Sequence, residues 1–325
     1  MGAARTRWIP VIGVVVAAPW FAEMAWGGYP ATDIPVILLF LGPMYGGAAL
    51  LVREIARRTG RGWPTMLLMA AAFGVLQAGV VDQSLFNPSY DRYDFQHPVH
   101  VGGIDISLYY LLAFVSGHVV ASIATPIALA EAWSRHGVEP WLSRRAACVV
   151  GACYVLASVV NHLGVKDEVG HGFQASPLQV SAALTTVLAL VVVAVTWRRR
   201  SSTVGRVPPP WVLLVAAVAG YLLYLPVEDG RGVAVGLVVI SAAVAAVGTW
   251  SRSRHWRDAH ARSLVVGATL TGAVTPFITA PYEDDVSAAA ERVADLAAAT
   301  ICLLVVAATL MRLRALRSGA PTSGP

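Results

Sequence analysis

Residues 177–197 read PLQVSAALTTVLALVVVAVTW, and Arg198-Arg199-Arg200 follow at once. The run contains no charged residue. As a helix it extends about 31 Å at ~1.5 Å per residue, close to the ~30 Å hydrocarbon core of a bilayer. An apolar rod of that length ending in three arginines reads as a membrane span stopped at a cytoplasmic surface. Nine further runs repeat the pattern.

Composition agrees. Of 325 residues, 56% are hydrophobic and only 13% charged, with a mean hydropathy of +0.62. A soluble domain carries about 25% charged residues, so a water-soluble enzyme is excluded. Disorder, collagen and disulfide scaffolds are excluded too, because Gly, Pro and Cys are not enriched enough. Cys148, Cys153 and Cys302 all lie in apolar runs and imply no disulfide framework. The basic residues are almost all Arg, with Lys166 the one exception. With abundant Ala, Val and Gly, that bias points to a GC-rich, actinobacterial genome. The isoelectric point of 9.3 reflects the loop arginines and is no nucleic-acid signal.

The fold expected is all-α, a polytopic transmembrane bundle of about ten spans. They are Trp8–Gly27, Ile34–Val52, Trp63–Asp82, Ser107–Trp133, Ala146–Gly164, Pro177–Trp197, Pro210–Pro226, Gly232–Trp250, Ser263–Pro281 and Ala294–Met311. With the N-terminus inside, 20 of the 24 Lys and Arg residues fall on inner segments, leaving Arg92, Lys166, Arg231 and Arg292 outside. Acids such as Asp91, Asp94, Asp167, Glu168, Glu228, Asp229 and Glu283-Asp284-Asp285 fall outside. A miscounted span would invert every later loop and destroy this asymmetry, so both termini are placed in the cytoplasm and the protein in the plasma membrane. The first span reads as a retained helix rather than a signal peptide, since Pro19 follows the only small-residue site at Ala18.

Polar residues divide the chain into a five-helix half over 1–175, a plain apolar half over 176–317 and a disordered tail over 318–325. The first half places Glu23, Gln77, Asp82, His118, Glu131, Asn161 and His162 within or at the ends of apolar runs. Ionisable groups there cost about 2.5–3.5 kcal/mol each to insert and face protein interiors or wet cavities. Span nine carries Thr271, Thr275 and Thr279 around Pro276. Five plus five spans permit an inverted repeat, but matching residues between the halves are at chance level.

Span four is the most informative. Tyr110, Phe114, His118, Ser122 and Thr125 share one face of an α-helix. His118 lies roughly 16 Å from the outer end, and Pro126 frees the Ser122 carbonyl. Together Glu23, Gln77, Asp82, His118, Ser122, Asn161 and His162 are candidates for binding a substrate or carrying a proton in one outward-facing pocket. The plain alternative is interhelical hydrogen bonding and interfacial solvation.

Two other segments read more blandly. His97-Pro98-Val99-His100, with Asp91, Asp94 and Asp105, superficially resembles metal ligands, but Pro98 is at odds with helical His spacing, so a solvated loop is expected and no metal. Arg53-Glu54-Ile55-Ala56-Arg57-Arg58, followed by Thr59-Gly60-Arg61-Gly62-Trp63-Pro64, reads as a positive-inside anchor that Glu131 can pair with. No nucleophile elbow, phosphate loop, zinc motif or CxxC is present, and no cofactor is implied.

Gly42-Pro43, Ala49–Glu54, Gly60–Pro64 and Asp82–Pro88, with His118 and Ser122–Ile127, resemble a group of uncharacterised membrane proteins of actinobacteria and bacilli over about residues 34–135. Several of those carry a Glu-Glu pair where Gln77 and Ala78 stand here. That pair, with a later intramembrane His, gives a faint resemblance to the CPBP intramembrane proteases, whose motif is EExxxR. Without the pair, the resemblance does not imply CPBP-type hydrolysis. The partners expected are the lipid bilayer and a small hydrophobic or polar ligand, not nucleic acid. Three functions fit: a transporter or small-molecule-binding protein, an intramembrane enzyme acting on a lipid, terpenoid or peptide, and a non-catalytic accessory subunit.

Overall fold

A computed structural model describes residues 6–27, 29–134, 136–196, 206–224, 227–279 and 287–318. Arg198-Arg199-Arg200, Glu283-Asp284-Asp285 and the tail beyond Ser318 lie outside them. The described chain is almost wholly helical. Its helices are α1 (Trp8–Ala22), α2 (Ile34–Leu41), α3 (Gly47–Arg58), α4 (Trp63–Leu76), α5 (Leu108–Gly117), α6 (Thr125–Trp133), α7 (Arg144–Glu168), α8 (Pro177–Thr196), α9 (Pro210–Tyr224), α10 (Gly230–Trp250), α11 (Asp258–Thr271) and α12 (Ala288–Ser318). A two-residue hairpin, β1 (His100–Val101) and β2 (Ile106–Ser107), sits in the loop after α4.

Seven helical units among the described residues are long and apolar enough to cross a membrane, beginning with Ile34–Arg58, Trp63–Val81 and Leu108–Trp133. Trp8–Ala22 and Pro210–Leu223 are shorter apolar helices. α11 has 14 residues and gives way near Pro276 to a 3-10 turn at Thr275–Phe277.

Three of these units are not α-helical throughout. π-helical segments span Gly42–Gly46 between α2 and α3, Gln77–Val81 after α4, and His118–Ala124 between α5 and α6. Pro43 stands inside the first of them and Pro126 just after the third, and both remove backbone donors from the ladder. A π turn adds a residue, so it rotates everything beyond it by roughly 100°. That overturns the single polar seam expected of span four. Tyr110 and Phe114 pack with Phe95 of the loop. His118 and Ser122 face Phe73 and Tyr45. Thr125 turns to a crevice shared with Ala25, Tyr221 and Thr271.

The core forms around α1, whose Val11, Val14, Ala18 and Phe21 recur at helical spacing and are buried. The first three cluster with Met44, Ala48, Met66, Phe73 and Ile127 from the neighbouring units, and Phe21 packs with Ala25, Leu129 and Cys302. Gly46 lets the first π segment touch α1, since a Cβ there would come 2.6 Å from the Val15 Cα. In the second half, α8 seats on α4 and α11 on α9. The Thr65 hydroxyl donates to the Ala194 carbonyl at 3.1 Å. Large apolar side chains point outward, among them Leu156, Val159 and Leu163 of α7, as suits a surface solvated by lipid.

The basic segment is more than a surface anchor. Arg53 is fully buried. It donates to Glu131 Oε1 (2.9 Å), Glu54 Oε1 (3.1 Å) and the carbonyls of Gly137 (2.7 Å) and Glu139 (3.0 Å). Its guanidinium stacks 3.2 Å from the ring centre of the buried Trp141. Glu54 accepts from the backbone N–H of Trp141 (2.6 Å) and from Arg58 Nε (3.0 Å), and Glu131 accepts from Arg57 (2.6 and 2.8 Å). The network clamps the α6–α7 loop onto α3. Breaking a buried pair strands a charge and costs about 3–5 kcal/mol. Arg53→Ala and Glu54→Ala are therefore expected to lower the thermal unfolding midpoint of the purified protein strongly. Arg145→Ala, exposed at the start of α7, should change it little. Equal midpoints for all three variants would refute the clamp.

Candidate functional site

The three π segments bring polar side chains to one region of the first half. At its centre is Tyr45, within Gly42–Gly46 and buried. Its hydroxyl donates to Glu23 Oε1 at 2.6 Å. Its ring lies 5.8 Å from the His118 ring and 6.0 Å from Phe73. Tyr45 thus joins two tiers.

The tier nearer the 83–106 loop holds Glu23, Gln77, Asp82, Asn161 and His162. α1 ends just before Glu23, and the second π segment begins at Gln77 and stops before Asp82. Gln77 is buried, and its Nε2 faces Asp82 Oδ2 at 3.5 Å and Asn161 Oδ1 at 3.4 Å. Both are acceptors, which fixes the orientation of the amide. Gln77 Oε1 is then a buried acceptor without a donor. Asp82 Oδ1 accepts from the Ser84 N–H (3.0 Å) and hydroxyl (2.7 Å). His162 Nδ1 lies 2.8 Å from the Val81 carbonyl, so Nδ1 carries the proton.

The deeper tier holds His118 and Ser122, with His118 Nδ1 3.0 Å from Ser122 Oγ. Phe73 packs edge-on to the His118 ring at 5.4 Å, and Tyr154 lies beyond Phe73 at 6.4 Å. Gly74 makes this approach possible. A Cβ there would meet the His118 Cβ and the Val115 Cα, each at 3.2 Å.

The 83–106 loop, which begins beside Asp82, is tied to the α7–α8 connection and the start of α8. Asn87 donates to the Gly170 carbonyl (3.2 Å), Gln83 accepts from the Ala175 N–H (2.7 Å), and Gln179 donates to the Ile104 carbonyl (3.0 Å). Tyr90 lies in this loop, its ring 5.3 Å from that of Phe95. Burial first, then the charges of Asp82 and Glu23, pushes its phenol well above the ordinary tyrosine range. In the same loop His97 pairs with Asp94 (2.8 Å) and His100 with Asp105 (3.3 Å), and the two imidazoles stack 5.4 Å apart.

All seven sequence candidates therefore lie in these two tiers. Sequence reasoning missed Tyr45, the residue that joins them. For Tyr45 a signal was present, a proline between glycines inside an apolar run.

A protein-family model described as an uncharacterized membrane protein family matches residues 12–321. No curated protein matches the chain, and no solved structure matches it.

Inserting side-chain volume at Gly74 tests how tightly the tiers pack. Gly74→Val is expected to destabilise by roughly 1–3 kcal/mol, the usual cost of overpacking. Gly151→Val makes the same change within α7, where a Cβ meets nothing within 4 Å, and serves as the control. Unfolding midpoints measured side by side should place Gly74→Val well below Gly151→Val. Equal midpoints would show that His118 is not held against Gly74.

Proposed function

We propose that this chain, which belongs to the uncharacterized membrane protein family, is a transporter or small-molecule-binding protein whose ligand enters a polar pocket from the outer side of the plasma membrane. In this reading the chain crosses ten times with both termini cytoplasmic. The arginine asymmetry of the loops supports that topology. So do the two shorter apolar helices and the broken α11, which occupy the places of the remaining spans. The pocket lies in the five-helix half over 1–175, with the apolar half packed beside it as support.

One observation carries the reading. Three successive membrane units each widen into a π segment where they present a polar side chain, namely Tyr45, Gln77 and His118. Irregular helix within a bilayer is tolerated where it is buried in protein or lines a cavity, and π segments concentrate at functional sites. Gln77→Cys, in a chain with Cys148, Cys153 and Cys302 replaced by Ser, should react with a membrane-impermeant maleimide added outside intact cells. Val159→Cys, 50% exposed on the lipid-facing side of α7, should not. A Gln77→Cys thiol reached only from the inside, or from neither side, would rule the reading out.

An intramembrane hydrolase is the second reading. It is favoured by the Ser122–His118 contact, a hydroxyl and an imidazole at 3.0 Å. A fluorophosphonate probe should then label the wild type and spare Ser122→Ala; no labelling of the folded wild type speaks for binding alone.

A further inference from the structure

We propose that a crevice at mid-depth in the bundle binds a membrane-dissolved aliphatic alcohol, its hydroxyl at Thr125 and its chain against Phe21 and Val120. The site is separate from the two tiers, since none of the seven candidate residues lines it.

Its place in the fold sets its surroundings. The crevice lies between α1, the third π segment, α9 and α11, and holds about 300 Å³ of empty space, open side included. Phe21, Ala25, Thr125, Thr271 and Thr275 form a buried floor. The rim is half-buried and includes Trp26 and Tyr221, whose rings stand 6.1 Å apart. Val120 lies near the middle of the unit Leu108–Trp133, roughly 18–20 Å from either end at ~1.5 Å per residue. A bundle at that depth is surrounded by acyl chains, so what reaches the rim is dissolved in the bilayer.

The polar groups on the walls define the ligand. Thr271 gives its proton to the Ala268 carbonyl (2.5 Å) and Thr275 to the Ala25 carbonyl (3.1 Å), so each keeps only lone pairs to offer. The π segment adds another acceptor. The Thr125 N–H bonds back five residues to the Val120 carbonyl, and Pro126 has no N–H. The Ala121 carbonyl, which would take one or the other, is left without a helical donor beside the crevice that Ala121 lines. Thr125 is 2% exposed. It lines the crevice, and its hydroxyl has no hydrogen-bond partner among the described residues.

The walls therefore present several bare acceptors and one uncommitted hydroxyl. No charged or imidazole side chain lines the crevice among the described residues. A neutral hydroxyl matches this set, because it accepts from Thr125 and donates to one of the bare acceptors. A ketone or ether can only accept, and an ammonium or carboxylate would bring an unpaired charge. Water fits less well. One molecule takes up about 30 Å³, and further waters would face Phe21, Ala25 and Val120 without partners.

The test uses the full-length protein in lipid nanodiscs, with a diazirine-bearing octanol as photolabel. Label is expected in peptides covering residues 120–125 and 268–275, saturably, and displaced by unlabelled 1-octanol. Octane at equal concentration in the bilayer should compete roughly three- to tenfold less well, the worth of one neutral hydrogen bond. Thr125→Val keeps the shape and removes the hydroxyl. It should weaken labelling by a similar factor without lowering the unfolding midpoint, since no internal partner is lost. Thr125→Ser should keep the preference for octanol. Ala121→Leu should fill the space and abolish labelling of the folded protein, and Ala268→Leu makes the same change from the α11 wall should the first variant not fold.

No saturable label at these two segments in the folded wild type would overturn the proposal. Equal competition by octane would overturn it in favour of a plain hydrocarbon chain. Undiminished labelling of Thr125→Val would also overturn it, and a lowered midpoint for that variant would show that the hydroxyl already has a partner and remove the donor count on which the proposal stands.

Discussion

Hydrocarbon offers no hydrogen bonds, so each polar group carried into a bilayer must find its partner within protein. That constraint organises both ends of the first helical half. At one end Arg53, wholly buried, places its N–H groups on two carboxylates and two loop carbonyls and its face on Trp141. At the other, Gln77 bonds to Asp82 and Asn161, and Tyr45 to Glu23. The ends differ in completeness. The arginine network has an arginine for each acid, while the acidic tier sets hydroxyls, amides and the His162 imidazole around its carboxylates.

The two are mechanically joined. One helical unit runs from α2 through the first π segment into α3. It carries Tyr45 near its middle and Arg53 nearer its C-terminal end. Clamping Arg53 to the α6–α7 loop therefore also fixes the depth and rotation at which Tyr45 meets Glu23 and His118. Gly46 completes the arrangement, because it lets the same unit lie directly against the α1 backbone at Val15, about two turns before Glu23.

Much of this is legible in the sequence, and the boundary of what is not is physical. Runs such as 177–196 declare membrane helices by length and apolarity alone. The expense of Glu23, Asp82, His118 and His162 in lipid points to the first half, and Glu131 does pair with the basic segment. Ideal α periodicity misplaces Thr125, because the π turn at His118–Ala124 resets the helical phase. Tyr45 reads as one more aromatic in an apolar run, since nothing in the sequence shows that its hydroxyl meets Glu23. Arg53 reads as a surface charge because sequence cannot show that residues 137–141 fold back over it.

The most direct measurement is an experimental density map of the full-length protein in a lipid nanodisc, at a resolution that shows ordered water. Glu23, Tyr45, Gln77, Asp82 and Asn161 should enclose one shared density beside Gln77 Oε1, shielded from acyl chains by the 83–106 loop. A map in which those side chains point separately into lipid, or in which apolar side chains fill the space beside Gln77, would leave no site to explain.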